Sequence, residues 1–397
     1  MAISETLTLR LISNLADIPA QDWDAMNVQQ SPFLSHAFLS ELETHNCASE
    51  RFGWIPCHLA LYENNQLIAA LPLYQKYNNY GEFVFDQSWE NAWKQVGLNY
   101  YPKLLSAIPY TPALGQRFLK NPAATDLSDE ACQTALLNGA QQICLQNNLS
   151  GLHILFAHPT QQDWLNEQPA QITRHDCQFH WFNQNYQSFD DFLAALTGKK
   201  RKNIRQERKA LAAQGIQFRQ LNGHTASDED WANFSHFYHK TFTEKWSTPT
   251  LNEAFFKAVA KKIPEQVLLV LADDAKGNCI AGALMYHSPT HLYGRHWGCV
   301  ADVPFLHFEC CFYQGIEFAI QNGLQVFEPG AGGEHKIARG FVPVQTQSSH
   351  WLTRNPFPEG IGDFCQRERQ MIDEYMTETL EHIPYPVCPQ NPLAFKP

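Results

Sequence analysis

The sequence predicts an α/β protein made of two copies of one structural unit. The stretches HLALYENNQLIAALPLY (58–74) and LLVLADDAKGNCIAGALMYH (268–287) each have the pattern of a strand, a polar turn and a second strand. Each hairpin pattern is followed by a helix and a buried strand. These are CQTALLNGAQQICLQNN with LSGLHILF in the first half, and FECCFYQGIEFAIQNG with LQVFEPG in the second. The repeated order of elements indicates a duplicated unit.

The spacing between matching segments indicates an insertion in the first copy. The two hairpins lie farther apart in the sequence than the two helices that follow them. The first copy therefore carries extra residues between its hairpin and its helix. We place the insertion around 81–125, which begins with the aromatic stretch YGEFVFDQSWENAWKQ. The predicted organisation is a first unit over 1–187, a connecting helix over 188–215, and a second unit with a C-terminal helix over 216–397.

Composition excludes several classes of protein. The 397-residue chain is 44% hydrophobic with a net charge of −11, which indicates globular domains and disfavours a surface that binds nucleic acid throughout. No apolar run is long enough to span a bilayer and no signal-peptide pattern opens the chain, so we expect a cytoplasmic protein without stable membrane insertion. Eleven Cys without a repeated spacing predict reduced thiols, and no metal site is expected because His and Cys lack zinc-site spacing. The oligomeric state stays open.

A basic helix is predicted in SFDDFLAALTGKKRKNIRQERKALAAQGIQF, between the two units. Ser188 suits a helix start, Gly198 a bend and Gly215 a helix end. The stretch 199–209 holds seven Lys or Arg and one Glu. Such a concentration of charge predicts a site for a phosphate-bearing partner such as CoA, a nucleotide sugar or the acceptor end of an RNA, the alternative being a helix that is merely solvated. The candidate phosphate- or RNA-binding residues are Lys199, Lys200, Arg201, Lys202, Arg205 and Arg208.

A strand with charged and aromatic side chains is predicted at HLYGRHWGC. Strict alternation would place Tyr293, Arg295 and Trp297 on one face. An Arg in mid-strand is costly to bury unless it meets an anion or a carboxylate. Arg295 is therefore a candidate for substrate binding, or else a structural partner of Glu309 or Glu328.

The helix after this strand begins near His307 and Glu309. Free N–H groups in a first helical turn can bind an anion. Glu309 could equally be an acidic residue that interacts with the helix dipole.

The segment FEPGAGGEHKIARGF follows the last strand of the second copy. It lacks both G-x-x-x-x-G-K-[ST] and G-x-G-x-x-G, so we do not expect a nucleotide P-loop. Glu334 and His335 could take a proton from an amine, and Lys336 and Arg339 could hold an anionic substrate. The alternative is a connecting turn rich in glycine and charge.

Several long motifs resemble the FemAB-like family, peptidoglycan biosynthesis or recognition proteins within the GNAT acyltransferase superfamily. They are IPYTPALGQRFL, GKKRKNIRQERKALAAQGI, LYGRHWGC with PFLHFE, and PGAGGEHKIARGF with SSHWL. The resemblance covers nearly the whole chain. It implies two tandem GNAT-like units with mixed central sheets flanked by helices, in agreement with the repeat.

The resemblance implies transfer of an acyl group from acyl-CoA or of an amino acid from aminoacyl-tRNA. The Arg/Gln-x-x-Gly-x-Gly/Ala pattern of CoA-dependent GNAT enzymes is replaced here by ADVPFLHFE. The donor therefore stays open between these two substrates, and no other cofactor is expected. The acceptor would be a small-molecule or peptidyl amine.

The first hypothesis is a transferase that acts on a primary amine of a peptidoglycan precursor. Glu334 or His335 is the candidate base, and Tyr293 is a candidate proton donor to the leaving group. The candidate substrate-binding residues are Arg295, Trp297, His307, Glu309, Lys336 and Arg339. A second hypothesis is a non-catalytic module that binds a cell-wall or nucleotide-linked ligand, and a third is an RNA-binding protein that uses the basic helix.

Overall fold

The computed structural model describes residues 7–393. This part of the chain forms two compact units, each drawn from two stretches. Unit 1 extends to Asp176 and resumes over Gln345–Asp373, whereas unit 2 covers Cys177–Val344 and resumes at Glu374. The contiguous segment boundaries drawn from the sequence stay a prediction.

The strands are short in unit 1 and longer in unit 2. They are β1 (Leu7–Ile12), β2 (Trp54–Pro56), β3 (His58–Glu63), β4 (Gln66–Leu71), β5 (Tyr74–Lys76), β6 (Lys103–Ser106), β7 (Leu119–Lys120), β8 (Gly151–Leu155), β9 (Ile172–Phe182), β10 (Gln217–Leu221), β11 (Val267–Asp273), β12 (Cys279–His287), β13 (His291–Cys299), β14 (Val326–Glu328) and β15 (Val342–Leu352). The boundary between the units passes through β9 and β15.

The helices cover the sheets of each unit. They are α1 (Ala20–Asp24), α2 (His36–Thr44), α3 (Gln87–Gln95), α4 (Asp129–Gln146), α5 (Pro159–Asn166), α6 (Phe189–Ala195), α7 (Gly198–Ala213), α8 (Asp228–Glu244), α9 (Glu253–Lys262), α10 (Leu306–Phe308), α11 (Gln314–Gln321) and α12 (Pro358–Leu380). A π-helical turn, Glu309–Tyr313, joins α10 to α11. Between residues 7 and 393, no helix has the length and apolar character needed to cross a membrane.

Unit 1 contains two sheets. One is antiparallel with the order β1-β3-β4-β7. The other has the order β2-β5-β6-β8-β15 and is antiparallel except for the parallel pair β6–β8. Leu136, Leu137 and Ala140 of α4 lie in the apolar core with residues of both sheets.

Unit 2 has a single mixed sheet with the order β10-β11-β12-β13-β14-β9. The pairs from β10 to β13 are antiparallel, β13 and β14 are parallel, and β14 pairs antiparallel with β9. The helical run from α10 to α11 connects the two parallel strands, since a parallel pair requires a crossover. The core of unit 2 includes Ile316 of α11 and Phe327 of β14.

The duplication predicted from the sequence is confirmed. Both units contain the predicted hairpin, as β3–β4 and as β11–β12, and both contain a parallel strand pair joined by a helix. Asn64 and Asn65 form the first turn with positive φ angles, as tight hairpin turns favour. The two sheets of unit 1 were not indicated by the sequence.

The basic segment forms two helices rather than one bent helix. The Oγ of Ser188 accepts a hydrogen bond from the Asp191 N–H at 3.1 Å and begins α6. Leu196 has extended backbone angles and ends α6, so the helix is interrupted before Gly198. The charged positions of the basic segment leave Ile204 and Leu211 as the apolar seam predicted from the sequence. The structure confirms this seam, because these two are the buried residues of α7.

Candidate functional site

The glycine-rich loop of unit 2 follows β14 and closes into a 3-10 helix, Glu334–Arg339. Gly333 precedes that helix with a φ of +91°, a conformation that residues with side chains rarely adopt. A Cβ atom at Gly333 would lie 2.6 Å from the His335 ring. The positive φ favours glycine here, and an added Cβ atom would also displace the His335 imidazole.

Lys336 of the same 3-10 helix is buried, with 4% of its surface exposed. Its Nζ donates hydrogen bonds to the carbonyl oxygens of Gly330, at 2.6 Å, and Ala331, at 3.4 Å. Burial, with a smaller contribution from the Arg295 guanidinium, lowers the pKa of the Lys336 ammonium to about 8. Within residues 7–393 no carboxylate forms an ion pair with Lys336. Lys336 is therefore a buried cation held by backbone carbonyl groups.

A β-bulge interrupts β13 at Arg295. Leu284 of β12 lies opposite His296, whereas the next residue, Met285, lies opposite Gly294. Arg295 is the extra residue on the bulged strand.

The bulge changes which side chains of β13 share a face. Tyr293 lies opposite Tyr286, and Trp297 lies opposite Ala283, three residues away on β12. Side chains an odd number of positions apart on a strand point to opposite faces. The expectation that Tyr293, Arg295 and Trp297 share one face is wrong, because the extra residue reverses the alternation.

Arg295 lies beside the glycine-rich loop. A methyl group added at Gly330 would come within 3.9 Å of the Arg295 Nη1. Burial lowers the pKa of Arg295 to about 10, and the Glu328 carboxylate opposes this effect, so the guanidinium stays charged at neutral pH. Arg295 and Lys336 thus bring two cations to the backbone around Gly330, where they can stabilise an oxyanion or an anionic substrate.

Four rings form what we call the imidazole cluster: Trp297, His307, Phe312 and His335. The ring centroid of His307 lies 5.2 Å from that of Trp297, 5.4 Å from that of Phe312 and 5.7 Å from that of His335. Burial and nearby positive charge lower the pKa of His307 to about 4 and also lower that of His335. Both imidazoles are neutral at pH 7, and His335 is exposed, so its free nitrogen can accept a proton.

Arg339 is held by residues of the protein itself. Its Nη2 donates to a Glu207 carboxylate oxygen at 3.1 Å, and its Nη1 donates to the His335 carbonyl oxygen at 2.8 Å. The guanidinium also lies over the Phe308 ring, 3.2 Å from the centroid. Its charge is already compensated, and a contact with substrate stays a prediction.

Glu334 and Tyr293 are not members of the imidazole cluster and have other partners. Glu334 is exposed and accepts a hydrogen bond from the Tyr375 hydroxyl at 3.0 Å. Tyr293 is 5% exposed and stacks on His291 with ring centroids 5.6 Å apart. Their predicted roles as base and proton donor stay predictions.

Glu309 anchors the basic helix. It is 2% exposed, and its oxygens accept hydrogen bonds from Arg208 Nε at 3.1 Å and from Gln314 Nε2 at 2.8 Å. Arg208 also pairs with Glu317 at 2.9 Å. The Glu309 carboxylate therefore pairs with Arg208 and not with Arg295, which was one of the alternatives left open by the sequence.

The cations of α7 fall into two groups. Arg205 and Arg208 form ion pairs within unit 2, the former with Asp190 at 2.8 Å. The other group has no ion pair in the described part of the chain and comprises Lys199, Lys200, Arg201, Lys202 and Lys209. Four of these occupy the first turn and a half of the helix, so its N-terminal end carries most of the uncompensated charge.

Sequence reasoning missed the residues that position the candidates. Glu207 holds Arg339 and also accepts a hydrogen bond from the Tyr313 hydroxyl. Tyr375, forty-one residues from Glu334, is its hydrogen-bond donor. Glu207 carries a signal in hindsight, because it is the single acid within the basic stretch 199–209.

Unit 1 holds a buried polar cluster that the sequence did not suggest. Lys103 is fully buried and forms ion pairs with Glu82, at 2.7 Å, and with Asp86. His153 and His350 join through their Nδ1 atoms at 2.8 Å. Among residues 7–393 no three His, Cys, Asp or Glu side chains are grouped as metal ligands would be.

Comparison with protein families identifies the chain. The model of the FemAB-like family, described as peptidoglycan biosynthesis/recognition, matches residues 14–387. The chain belongs to the FemAB-like family. The resemblance inferred from the motifs is therefore confirmed, and the match spans both units. A comparison with curated proteins finds no match.

Solved structures share the fold at low sequence identity. The crystal structure of FemX is 11% identical, with a TM-score of 0.52 over 86% of this chain and 97% of that one. A conserved protein of unknown function from Bacteroides thetaiotaomicron is 10% identical, with a TM-score of 0.53 over 87% and 100% of the two chains. The C-terminal domain of a putative lysylphosphatidylglycerol synthetase from Agrobacterium fabrum is 8% identical, with a TM-score of 0.51 over 89% and 97%.

These similarities and the topology of each unit confirm a fold of two related α/β units with mixed sheets flanked by helices. Membership in the FemAB-like family supports an acyltransferase or aminoacyltransferase. The family description assigns the chain to peptidoglycan biosynthesis or recognition.

Proposed function

We propose that this FemAB-like protein transfers an activated acyl or aminoacyl group onto a primary amine of a peptidoglycan precursor, and that unit 2 carries the chemistry. One observation carries the proposal. The consecutive residues His335 and Lys336 present a neutral imidazole and a buried ammonium, with Arg295 beside the latter. Aminolysis of an ester or thioester needs these two kinds of group.

In the proposed reaction, the amine nitrogen attacks the acyl carbon of the donor. His335 accepts the proton that the amine loses, while Lys336 and Arg295 stabilise the negative charge on the carbonyl oxygen. The C–N bond forms, the bond to the donor oxygen or sulfur breaks, and the proton passes to that leaving group. We assign the base to His335 rather than Glu334, because the carboxylate is turned to Tyr375.

The donor in this proposal carries phosphate. The uncompensated cations at the start of α7 provide charge for a phosphate backbone or a pyrophosphate. Both acyl-CoA and aminoacyl-tRNA satisfy this requirement. FemX and the putative lysylphosphatidylglycerol synthetase support the proposal only through their shared fold.

The test is a transfer assay with matched variants. Aminoacyl-tRNA and acyl-CoA donors are offered in turn with a UDP-linked peptidoglycan precursor, and the product is measured by mass spectrometry. We expect His335→Gln to lower kcat/KM by about 10²- to 10⁴-fold, as for loss of a general base. His236→Gln, at an exposed histidine on α8, serves as the control and should retain full activity.

Two results would contradict the proposal. Full turnover by His335→Gln would exclude this residue as the base. Binding of the precursor by the wild-type protein without turnover by any donor would favour the non-catalytic recognition module.

A further inference from the structure

Trp246 is an exposed aromatic residue that packing does not explain. It lies in the turn after α8 and is 99% exposed, more than any other large hydrophobic residue in the described chain. A side chain in this state contributes no buried apolar surface to folding. Its identity therefore needs another reason.

The backbone at this position does not favour Trp either. Trp246 has a φ of +53°, and its N–H donates to the Thr243 carbonyl at 3.1 Å in the turn that closes α8. Helices that end in this left-handed conformation usually have Gly there, because a Cβ atom is unfavourable. A glycine would suit the fold better than the tryptophan that the chain carries.

The end of α8 borders the imidazole cluster. The Thr241 Oγ1 donates to the Trp297 carbonyl oxygen at 3.1 Å, which fixes the last turns of α8 against β13. The Lys245 ammonium is close enough to His307 to contribute to lowering its pKa. Lys245 is exposed and forms no ion pair with the described residues. An exposed indole and an uncompensated cation thus stand next to each other at the edge of the candidate site.

We propose that Trp246 and Lys245 form a platform for the adenosine portion of the donor, with the base stacked on the indole and a phosphate near the ammonium. Aromatic side chains beside positive charge are the common means by which proteins hold unpaired bases. The inference rests on the proposed function, because both candidate donors carry this group. CoA contains a phosphorylated adenosine, and aminoacyl-tRNA ends in adenosine.

Calorimetric titration of the whole protein tests the platform. The probes are AMP, CoA, a short RNA that ends in CCA, and ribose 5-phosphate, which has the phosphate without the base. We expect Trp246→Gly to weaken AMP binding by about tenfold or more, the range found for loss of one stacked base. Thermal unfolding should show that this variant is at least as stable as the wild type, because glycine relieves the positive φ. Phe85→Gly, which removes a 65% exposed aromatic residue from unit 1, is the control and should leave AMP binding unchanged.

The outcomes separate the possibilities. A loss of affinity for CoA alone or for the RNA alone, on top of the loss for AMP, supports the platform and identifies the donor. Equal binding of AMP by wild type and Trp246→Gly, equal binding of AMP and ribose 5-phosphate, or no binding of AMP overturns it. Because these titrations need no turnover, absence of transfer would count against the proposed function and leave the platform intact.

Discussion

Replacing Lys336 with Met should stabilise the protein and abolish transfer. The ammonium is 4% exposed and has carbonyl oxygens as its hydrogen-bond partners. The fall of its pKa from the ordinary 10.5 to about 8 means that the folded protein disfavours the charged form. At about 1.4 kcal/mol for each tenfold change, this costs about 3 kcal/mol at pH 7.

The Lys336→Met substitution removes the cost of burying the charge, but it also removes the hydrogen bonds of the ammonium. Losing the hydrogen bonds to the Gly330 and Ala331 carbonyls should cost about 1 kcal/mol, so Lys336→Met should be about 2 kcal/mol more stable at pH 7. The advantage should shrink as pH rises from about 8 towards 10.5, because there the unfolded chain binds a proton at Lys336 that the folded protein has released. The free energy of unfolding of the wild type therefore rises between about pH 8 and pH 10.5 through the titration of Lys336.

Urea unfolding of wild type and variant at pH 7 and pH 10 measures both effects. Taking the difference between the two proteins cancels other groups that titrate in the same window. Lys202→Met, at an exposed lysine of α7, is the matched control and should change stability by less than about 0.5 kcal/mol. A Lys336→Met protein that is less stable than wild type at pH 7, or a difference that is the same at both pH values, would refute the reasoning.

The pH profile of kcat/KM should be bell-shaped. Activity should fall on the acid side below pH 6.5, because His335 must be neutral, and on the basic side near pH 8, because Lys336 must be protonated. A value of kcat/KM that keeps rising beyond pH 9 would exclude the Lys336 ammonium from the reaction. Gly333→Ala should lower transfer by more than tenfold, because its Cβ would displace His335. Gly277→Ala is the control, since Gly277 has a φ of +81° with open space around it and should show only the backbone cost of about 1 kcal/mol. Equal effects of the two substitutions on transfer would contradict the placement of the imidazole. Lys103→Met should destabilise unit 1 by about 3–5 kcal/mol in urea unfolding, since it removes the cation paired with buried Asp86 and leaves buried Glu82 only the Lys76 ammonium at 3.9 Å. An unchanged free energy of unfolding would mean that the two carboxyl groups are protonated.

The sequence by itself determined the repeated hairpins and the duplication of the α/β unit. Polar turns between apolar stretches specify hairpins locally, so β3–β4 and β11–β12 could be read directly. The periodicity of apolar residues likewise fixed Ile204 and Leu211 as the buried seam of α7. The motif segments also sufficed to recognise the FemAB-like family, which the family match confirms.

The tertiary structure decided which candidates are free to act. Periodicity assumes regular strands, so it could not anticipate the bulge at Arg295 that separates Tyr293 from Trp297. The sequence likewise does not show which charged side chains are paired with an opposite charge in the folded protein. Arg339 looked equivalent to Lys336 until Glu207, more than a hundred residues away, compensated the first and left the second with carbonyl partners. Burial and long-range pairing depend on how distant segments pack, and for that reason they set the chemistry of this site only in the folded chain.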